Sequence, residues 1–159
     1  MANTQSMCTS FLGELLSATH NFSSANPAQT ANTANTFKAA LYLASATINA
    51  STTAYSATNE VSGTGYTAGG VTVTGATNPA STNSSTTAGV GYWTPSASIT
   101  YTTVTLTTAF DCVLIYNSTQ SNKAVSVHTF GSQTVTAGTF TLTMPANTTS
   151  TALLRLATT

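Results

Sequence analysis

Hydrophobic and polar residues alternate over much of the second half of the chain, and this pattern predicts β-strands. Threonines alternate with apolar side chains over residues 99–108, and apolar residues take every second position over residues 139–144. A period of two places these apolar residues on one face of a strand. Residues 110–116 are apolar apart from Asp111, which predicts a strand buried on both faces. The other predicted strands are residues 37–43, 71–74, 124–130, 134–137 and 153–157.

Turn-forming residues separate these strands. Residues 117–122, Asn-Ser-Thr-Gln-Ser-Asn, predict a turn, and so do the Gly131-Ser132 pair and Gly138. Several short strands at this spacing are typical of two packed β-sheets. The sequence therefore predicts a mainly β protein, built as an antiparallel β-sandwich or a jelly-roll.

The first 35 residues follow a different pattern. A short helix is predicted over residues 11–17, with Ser10 as its N-cap and with Phe11, Leu12, Leu15 and Leu16 on one side. Two helical turns are too short to be stable alone, so this helix must pack on the rest of the protein or on a neighbour. Residues 23–35 lack hydrophobic periodicity and predict a linker. We therefore divide the chain into a short helical N-terminal arm with its linker (1–35) and a β-sandwich body (36–159).

The amino-acid composition indicates that the polar surface consists of hydroxyl and amide groups rather than charged groups. Charged residues make up 4% of the chain, against about 25% in an ordinary soluble domain. Threonine, which favours strands, supplies 37 of the 159 residues. The net charge of +0 gives little repulsion between copies and so favours association. Three cationic residues cannot form a phosphate-binding surface, so we expect no nucleic-acid partner.

Residues with catalytic or metal-binding chemistry are few and widely spaced. The three carboxylates lie far apart in sequence, and the two histidines and the two cysteines, Cys8 and Cys112, have no metal-ligand spacing. A Ser–His–Asp set from Asp111, His128 and one of the many serines is left open, although no serine lies in a Gly-x-Ser-x-Gly turn. We expect a non-enzymatic protein with no cofactor and no metal.

The chain contains no apolar run of the length that a transmembrane helix needs, and its first residues do not resemble a signal peptide. We therefore expect a protein made in the cytoplasm, with no membrane partner. Cys112 lies in an apolar run and is predicted to be a small core residue rather than half of a disulfide.

Three aromatic residues lie in turn-like surroundings and form a second candidate site. These are Tyr66, Tyr92 and Trp93. Exposed aromatics on loops bind carbohydrates or anchor interfaces, whereas the alternative is that they cover the open end of the sandwich.

Four segments resemble a family of small Thr- and Ala-rich structural proteins encoded by tailed bacteriophages. They are TFKAALY (36–42), STTAYSATNEVSGTGYTAGG (51–70), the stretch from FDCVLIYN to TLTMP (110–145) and ALLRLA (152–157). The resemblance implies a virion component of the capsid cement or decoration type, made in the cytoplasm of the bacterial host. Relatives tend to carry a basic residue near positions 11–16, and this chain has none there.

The first hypothesis is therefore a capsid decoration protein whose partners are the major capsid protein and copies of itself, in trimers by analogy with cement proteins at three-fold positions. Its predicted interface residues are Phe11, Leu12, Leu15, Leu16 and Phe22. The alternative is a receptor- or glycan-binding module of a head or tail fibre that uses the three aromatics. A tail or neck structural subunit is a third possibility.

Overall fold

The chain is mainly β, with antiparallel sheets and one short helix near the N-terminus, as the sequence predicts. The computed structural model describes residues 2–23, 34–82 and 89–157. In these ranges the elements are β1 (Ser6–Met7), α1 (Thr9–Leu16), β2 (Phe37–Leu43), β3 (Val71–Thr72), β4 (Ala80–Ser81), β5 (Val90–Trp93), β6 (Ile99–Asn117), β7 (Lys123–Leu142) and β8 (Leu154–Ala157).

The strands form two antiparallel sheets. The larger sheet has five strands in the order β1-β7-β6-β2-β3, and the smaller has three in the order β4-β5-β8. This arrangement is consistent with a β-sandwich, the first of the two architectures that the sequence predicts. The short strands β1, β4 and β5 fall in segments where the sequence predicted no strand, because two to four residues are too few to show a period.

The strands β6 and β7 form one long hairpin of 19 and 20 residues. The prediction of five separate strands over this region was wrong, since the breaks expected near Ala109, Gly131 and Gly138 do not end a strand. At these positions the register between β6 and β7 shifts, which produces bulges within continuous strands. Thr103 and Ala137 take the left-handed conformation at two of them, with φ of 53° and 45°. Bulges bend and twist a strand without ending its pairing.

The bent hairpin folds its two halves over a shared core. Phe110, near the bend, packs edge-on against Phe140 in the far half, with ring centroids 5.0 Å apart. The Tyr101 hydroxyl, also in the far half, donates a 2.8 Å hydrogen bond to the Ala39 carbonyl on β2. A flat strand of 19 residues would extend roughly 60 Å, so the bend is what lets two long strands enclose a small core.

The N-terminal segment is built into this core rather than lying outside it. The β1 strand pairs with β7 through Ser6 and Met7, and Cys8 and Phe11 are 0% and 1% exposed. The helix begins two residues earlier than predicted, with Cys8 rather than Ser10 as its N-cap. The Cys8 N–H donates to the Val125 carbonyl at 3.0 Å, so pairing with β7 sets where the helix begins. Residues 2–22 are therefore packed on the rest of the protein, one of the two outcomes expected for the helix, while most of the predicted linker lies outside the described residues.

Glycines allow the 61–70 loop to lie directly on the sheet. Gly70 has φ of 69°, and a Cβ there would overlap the Ala39 carbonyl oxygen of β2. Gly65 has φ of 81°, and a Cβ there would overlap the Thr103 carbonyl oxygen of β6. Both positions combine a left-handed backbone with close backbone approach, which glycine alone accommodates.

We predict that Gly70→Ala lowers the free energy of unfolding by about 3 kcal/mol or more, because the side chain adds both backbone strain and overlap. Gly13→Ala is the matched control, since a Cβ at that helical position meets nothing within 4 Å. It should stabilise the protein by about 0.5–1 kcal/mol. Urea unfolding of the two variants measures both changes, and similar midpoints would contradict this account of the loop.

Candidate functional site: an apolar interaction surface

A charged network anchors the segment that follows α1. Glu14, on the helix, accepts a 2.7 Å hydrogen bond from the Lys123 ammonium at the start of β7. Its other oxygen lies 2.7 Å from His20 Nε2, and the His20 side chain is 0% exposed. These contacts hold the helix and the chain after it against the turn between β6 and β7.

Asn117 determines which nitrogen of His20 carries the proton. The Asn117 side-chain oxygen accepts hydrogen bonds from the backbone N–H groups of Thr119 and Gln120. Its amide nitrogen therefore faces His20 Nδ1 at 3.0 Å and donates to it. The neutral His20 ring then carries its proton on Nε2 and donates to Glu14. The network satisfies every polar group of the buried imidazole.

The network also sets how Glu14 titrates. Burial opposes ionisation of this carboxyl, but the hydrogen bonds and positive charge of Lys123 and the bond to His20 outweigh it, so the pKa of Glu14 lies below its usual value. A carboxyl whose pKa is lower in the folded state stabilises the fold at neutral pH, and this contribution is lost as the pH falls through the folded pKa.

An apolar pocket of about 360 Å³ lies between α1 and the smaller sheet. Phe11, Leu15 and Phe22 line one side, and Trp93, Leu154 and Leu156 line the other. Its lining also includes Tyr92 and Ala80 but no Asp, Glu, Lys or Arg side chain from the described residues. The lining also contains polar groups of His20, Asn21 and Ser23, so the pocket is mainly rather than wholly apolar and is best suited to apolar groups.

Exposed leucines lie on two of the elements that line this pocket, α1 and β8. Leu16 is 93% exposed, and Leu12, one turn earlier on the same helix, is 45% exposed. Leu156, on β8, is 43% exposed and lines the pocket itself. The leucines and the pocket together form one uncharged surface, which we name the leucine patch.

The structure separates the five predicted interface residues into two groups. Phe11 and Phe22 lie in the core, where Phe22 stacks on Phe37 of β2 at 4.3 Å and packs against Trp93 of β5 at 4.8 Å. Phe22 thus bridges the two sheets of its own chain, and Phe11 packs edge-on against Phe22 at 5.8 Å, while both side chains also line the pocket. Leu12, Leu15 and Leu16 lie in the leucine patch.

The three predicted surface aromatics do not form one exposed cluster. Trp93 is 4% exposed, and its indole N–H donates to the Thr77 carbonyl. The Tyr66 hydroxyl donates to Glu60 and accepts from the Leu41 N–H, while Tyr92 lines the pocket. Two of the three residues are thus held in place within the fold.

Sequence analysis missed Leu156 and the partners of Glu14. Leu154 and Leu156 are two residues apart on β8 and both line the pocket. Residues at this spacing share one face of a strand, so the sequence pattern near the C-terminus could have identified Leu156 as part of the same surface as Leu154. The association of Glu14 with Lys123, 109 residues later, has no counterpart in the sequence pattern.

Glu60 is held at the centre of a hydrogen-bonded cluster. It is 9% exposed and accepts hydrogen bonds of 2.6–2.7 Å from the Tyr55 and Tyr66 hydroxyls and the Gly69 N–H. Burial, and then the bond to Glu60, raises the pKa of Tyr66. This cluster fastens the 54–70 loop to the sheet.

The catalytic set left open by the sequence is not assembled among the described residues. Asp111 accepts from the Asn3 amide at 2.6 Å, and His128 lies 2.9 Å from the buried Ser126 hydroxyl. No carboxylate among the described contacts holds the His128 ring. Burial lowers the pKa of His128 to about 4 and raises the pKa of Cys8 to about 11. The His128 imidazole and the Cys8 thiol are therefore neutral at pH 7.

The described residues include no group of three His, Cys, Asp or Glu side chains placed to hold a metal ion. Within the same ranges, no helix has the length and apolar character to cross a bilayer.

No family model, curated protein or solved structure matches this chain.

We predict that Glu14→Gln and Lys123→Gln each lower the free energy of unfolding by about 1 kcal/mol, because a partly exposed charged hydrogen bond is lost. The double variant should cost clearly less than the sum, since both changes break the same contact. Urea unfolding at pH 7 gives the double-mutant cycle. Strict additivity would mean that the two side chains do not interact.

We predict that the free energy of unfolding falls by about 2–3 kcal/mol as the pH drops from about 6.5 to about 4. Over this range the His128 side chain binds a proton in the unfolded state but not in the folded state. Below about pH 4 this contribution is complete. The His128→Gln variant should lose this dependence and keep the bond to Ser126. Thermal unfolding of both proteins across this range tests it, and parallel pH profiles would contradict the assignment.

Proposed function

We propose that this chain is a structural protein of a tailed-bacteriophage virion, acting as a capsid cement or decoration protein that binds the outer head shell and copies of itself. It transforms no substrate and needs no cofactor. The sequence resemblance gives the viral context, and the properties of the surface support the proposed role.

The observation that carries the proposal is a surface almost free of exposed charge. All six charged residues lie in the described ranges; Arg155 is exposed, and the Lys123 side chain is 39% exposed but paired. Glu60 is buried, Glu14 and Lys123 pair with each other, and Asp111 is bonded to Asn3. Monomeric proteins usually rely on charged surfaces to avoid association. A neutral surface with exposed leucines suits a protein that remains packed against others.

The edge of β7 supports the same role. Residues 129–142 pair with β6 on one side, and on the other side the described part of the chain provides only β1, which reaches no further than Val127. These 14 residues contain no charged residue and no proline. Charged residues and prolines usually help to protect an exposed strand edge, and here only the bulges near Gly131 and Gly138 do so, which suits a chain that is covered by neighbours in an assembly.

The glycan-binding alternative is less well supported, because it requires Tyr66, Tyr92 and Trp93 to be exposed together and Trp93 is buried. A tail or neck subunit would share the same neutral surface. Copy number separates it from decoration, since a head lattice carries many copies and a tail or neck carries few.

We predict that the purified chain, added to heads assembled without it, binds over the whole shell in numbers comparable to the shell subunits. Because the contact is uncharged, raising the salt from about 0.1 M to about 1 M, which shortens the Debye length from about 10 Å to about 3 Å, should change binding less than twofold. Sedimentation with gel densitometry measures copy number, and electron microscopy with a specific antibody shows position.

Two controls make this result decisive. Mature particles that already carry the chain should bind no more of it, since their sites are filled. The Gly70→Ala variant, which we expect to be poorly folded, should not bind. Label confined to the tail, a few copies per particle, or loss of binding in high salt would each overturn the proposal.

A further inference from the structure

The helix α1 presents two different apolar stripes. Phe11 and Leu15, one turn apart, face inward and line the pocket of their own chain. Leu12 and Leu16, also one turn apart, lie about 100° further around the axis and face outward. Leu16 is 93% exposed and Leu12 is 45% exposed, so among the described residues this second stripe forms an apolar ridge that is uncovered at Leu16 and about half covered at Leu12.

The pocket beside the helix has the size and chemistry to receive such a ridge. An engineered apolar cavity of about 150 Å³ holds a benzene ring, so a pocket of about 360 Å³ has room for two leucine side chains. Leu156 and Tyr92 at the pocket are partly exposed and offer apolar contact to an incoming side chain. No charged side chain of the described residues lines it.

Three observations indicate that the occupant is a second copy of this chain. Ridge and pocket are both uncharged, so their approach leaves no charge buried and unpaired. Leu12 and Leu16 do not line the pocket of their own chain, so they are placed to enter the pocket of another copy. The net charge of +0 means that copies do not repel each other.

We infer that Leu12 and Leu16 of one copy insert into the pocket of the next copy, so that each molecule gives a ridge and receives one. A contact between two different surfaces of the same molecule is heterologous, and it forms a closed ring when the rotation between copies allows. A ring of three matches the trimer expected by analogy. This inference deepens the proposed function, on which it rests, by naming the surface through which copies bind each other.

The first test is the oligomeric state of the full-length chain in solution without particles. Leu16→Asp should weaken self-association about a hundredfold or more, because it removes a buried leucine and adds a charge to an apolar pocket. Leu156→Asp, on the opposite partner surface, should have a similar effect. Thr58→Asp, at an exposed loop position outside the leucine patch, is the charge-matched control and should leave association unchanged. Analytical ultracentrifugation gives these values, and circular dichroism checks that each variant is folded.

The second test locates the contact. Leu16→Cys and Ala80→Cys place thiols on the ridge and in the pocket, while the native Cys8 and Cys112 are both 0% exposed and will not interfere. A mixture of the two single variants should form a disulfide between them on mild oxidation, and neither variant alone should do so. Cross-linking of Leu16→Cys to itself would mean a two-fold contact and would overturn the inference.

Further outcomes separate this inference from the proposed function. If the chain is monomeric at its highest soluble concentration, or if Leu16→Asp abolishes attachment to heads while leaving the solution oligomer intact, the inference is wrong and the decoration role can stand. If the ring forms through Leu16 but the protein does not bind heads, the decoration role fails and the contact between copies stands.

Discussion

The structure depends on the bend in the β6–β7 hairpin, because this bend makes a closed core out of two very long strands. Straight strands of this length would leave most of their apolar face in water. The bulges, with Thr103 and Ala137 in the left-handed conformation, bring the far half of the hairpin over the near half. Each such residue costs roughly 1–3 kcal/mol, and burial of the aromatic cluster around Phe110 and Phe140 offsets this strain. The positions of β2, the glycine loop and the N-terminal segment all follow from the shape of the bent hairpin.

Burial and pairing, rather than exposure, account for most of the few charges. Glu60 accepts hydrogen bonds from the hydroxyls of two tyrosines, and Glu14 is hydrogen-bonded to both Lys123 and the buried His20. In most proteins such groups provide solubility. Here they fasten a loop and a helix to the sheet, and threonine hydroxyls are left to face water. Surface contacts of this protein therefore depend on shape and apolar area, which salt screens little.

The N-terminal segment serves two purposes. Phe22 joins the two sheets and Phe11 packs on Phe22, whereas Leu12 and Leu16 remain exposed. Because one short helix carries both stripes, the outer leucines are held rigidly by the inner packing. A rigid ridge loses little conformational entropy when it binds, which favours association over a flexible arm that would have to become ordered.

Local patterns in the sequence determined the class of fold, the neutral character of the surface and the approximate positions of the main strands, since a period of two and the composition are properties of neighbouring residues. The leucines at 12, 15 and 16 were also identifiable as a possible contact surface. Only the tertiary structure decided that the expected breaks at Ala109 and Gly138 are bulges within strands and that Trp93 is buried. It also decided that Phe22 lies between Phe37 and Trp93, a contact spanning 71 residues of sequence from Phe22 to Trp93. Burial of that kind depends on partners distant in the chain, and no local pattern records which partner will cover a given side chain.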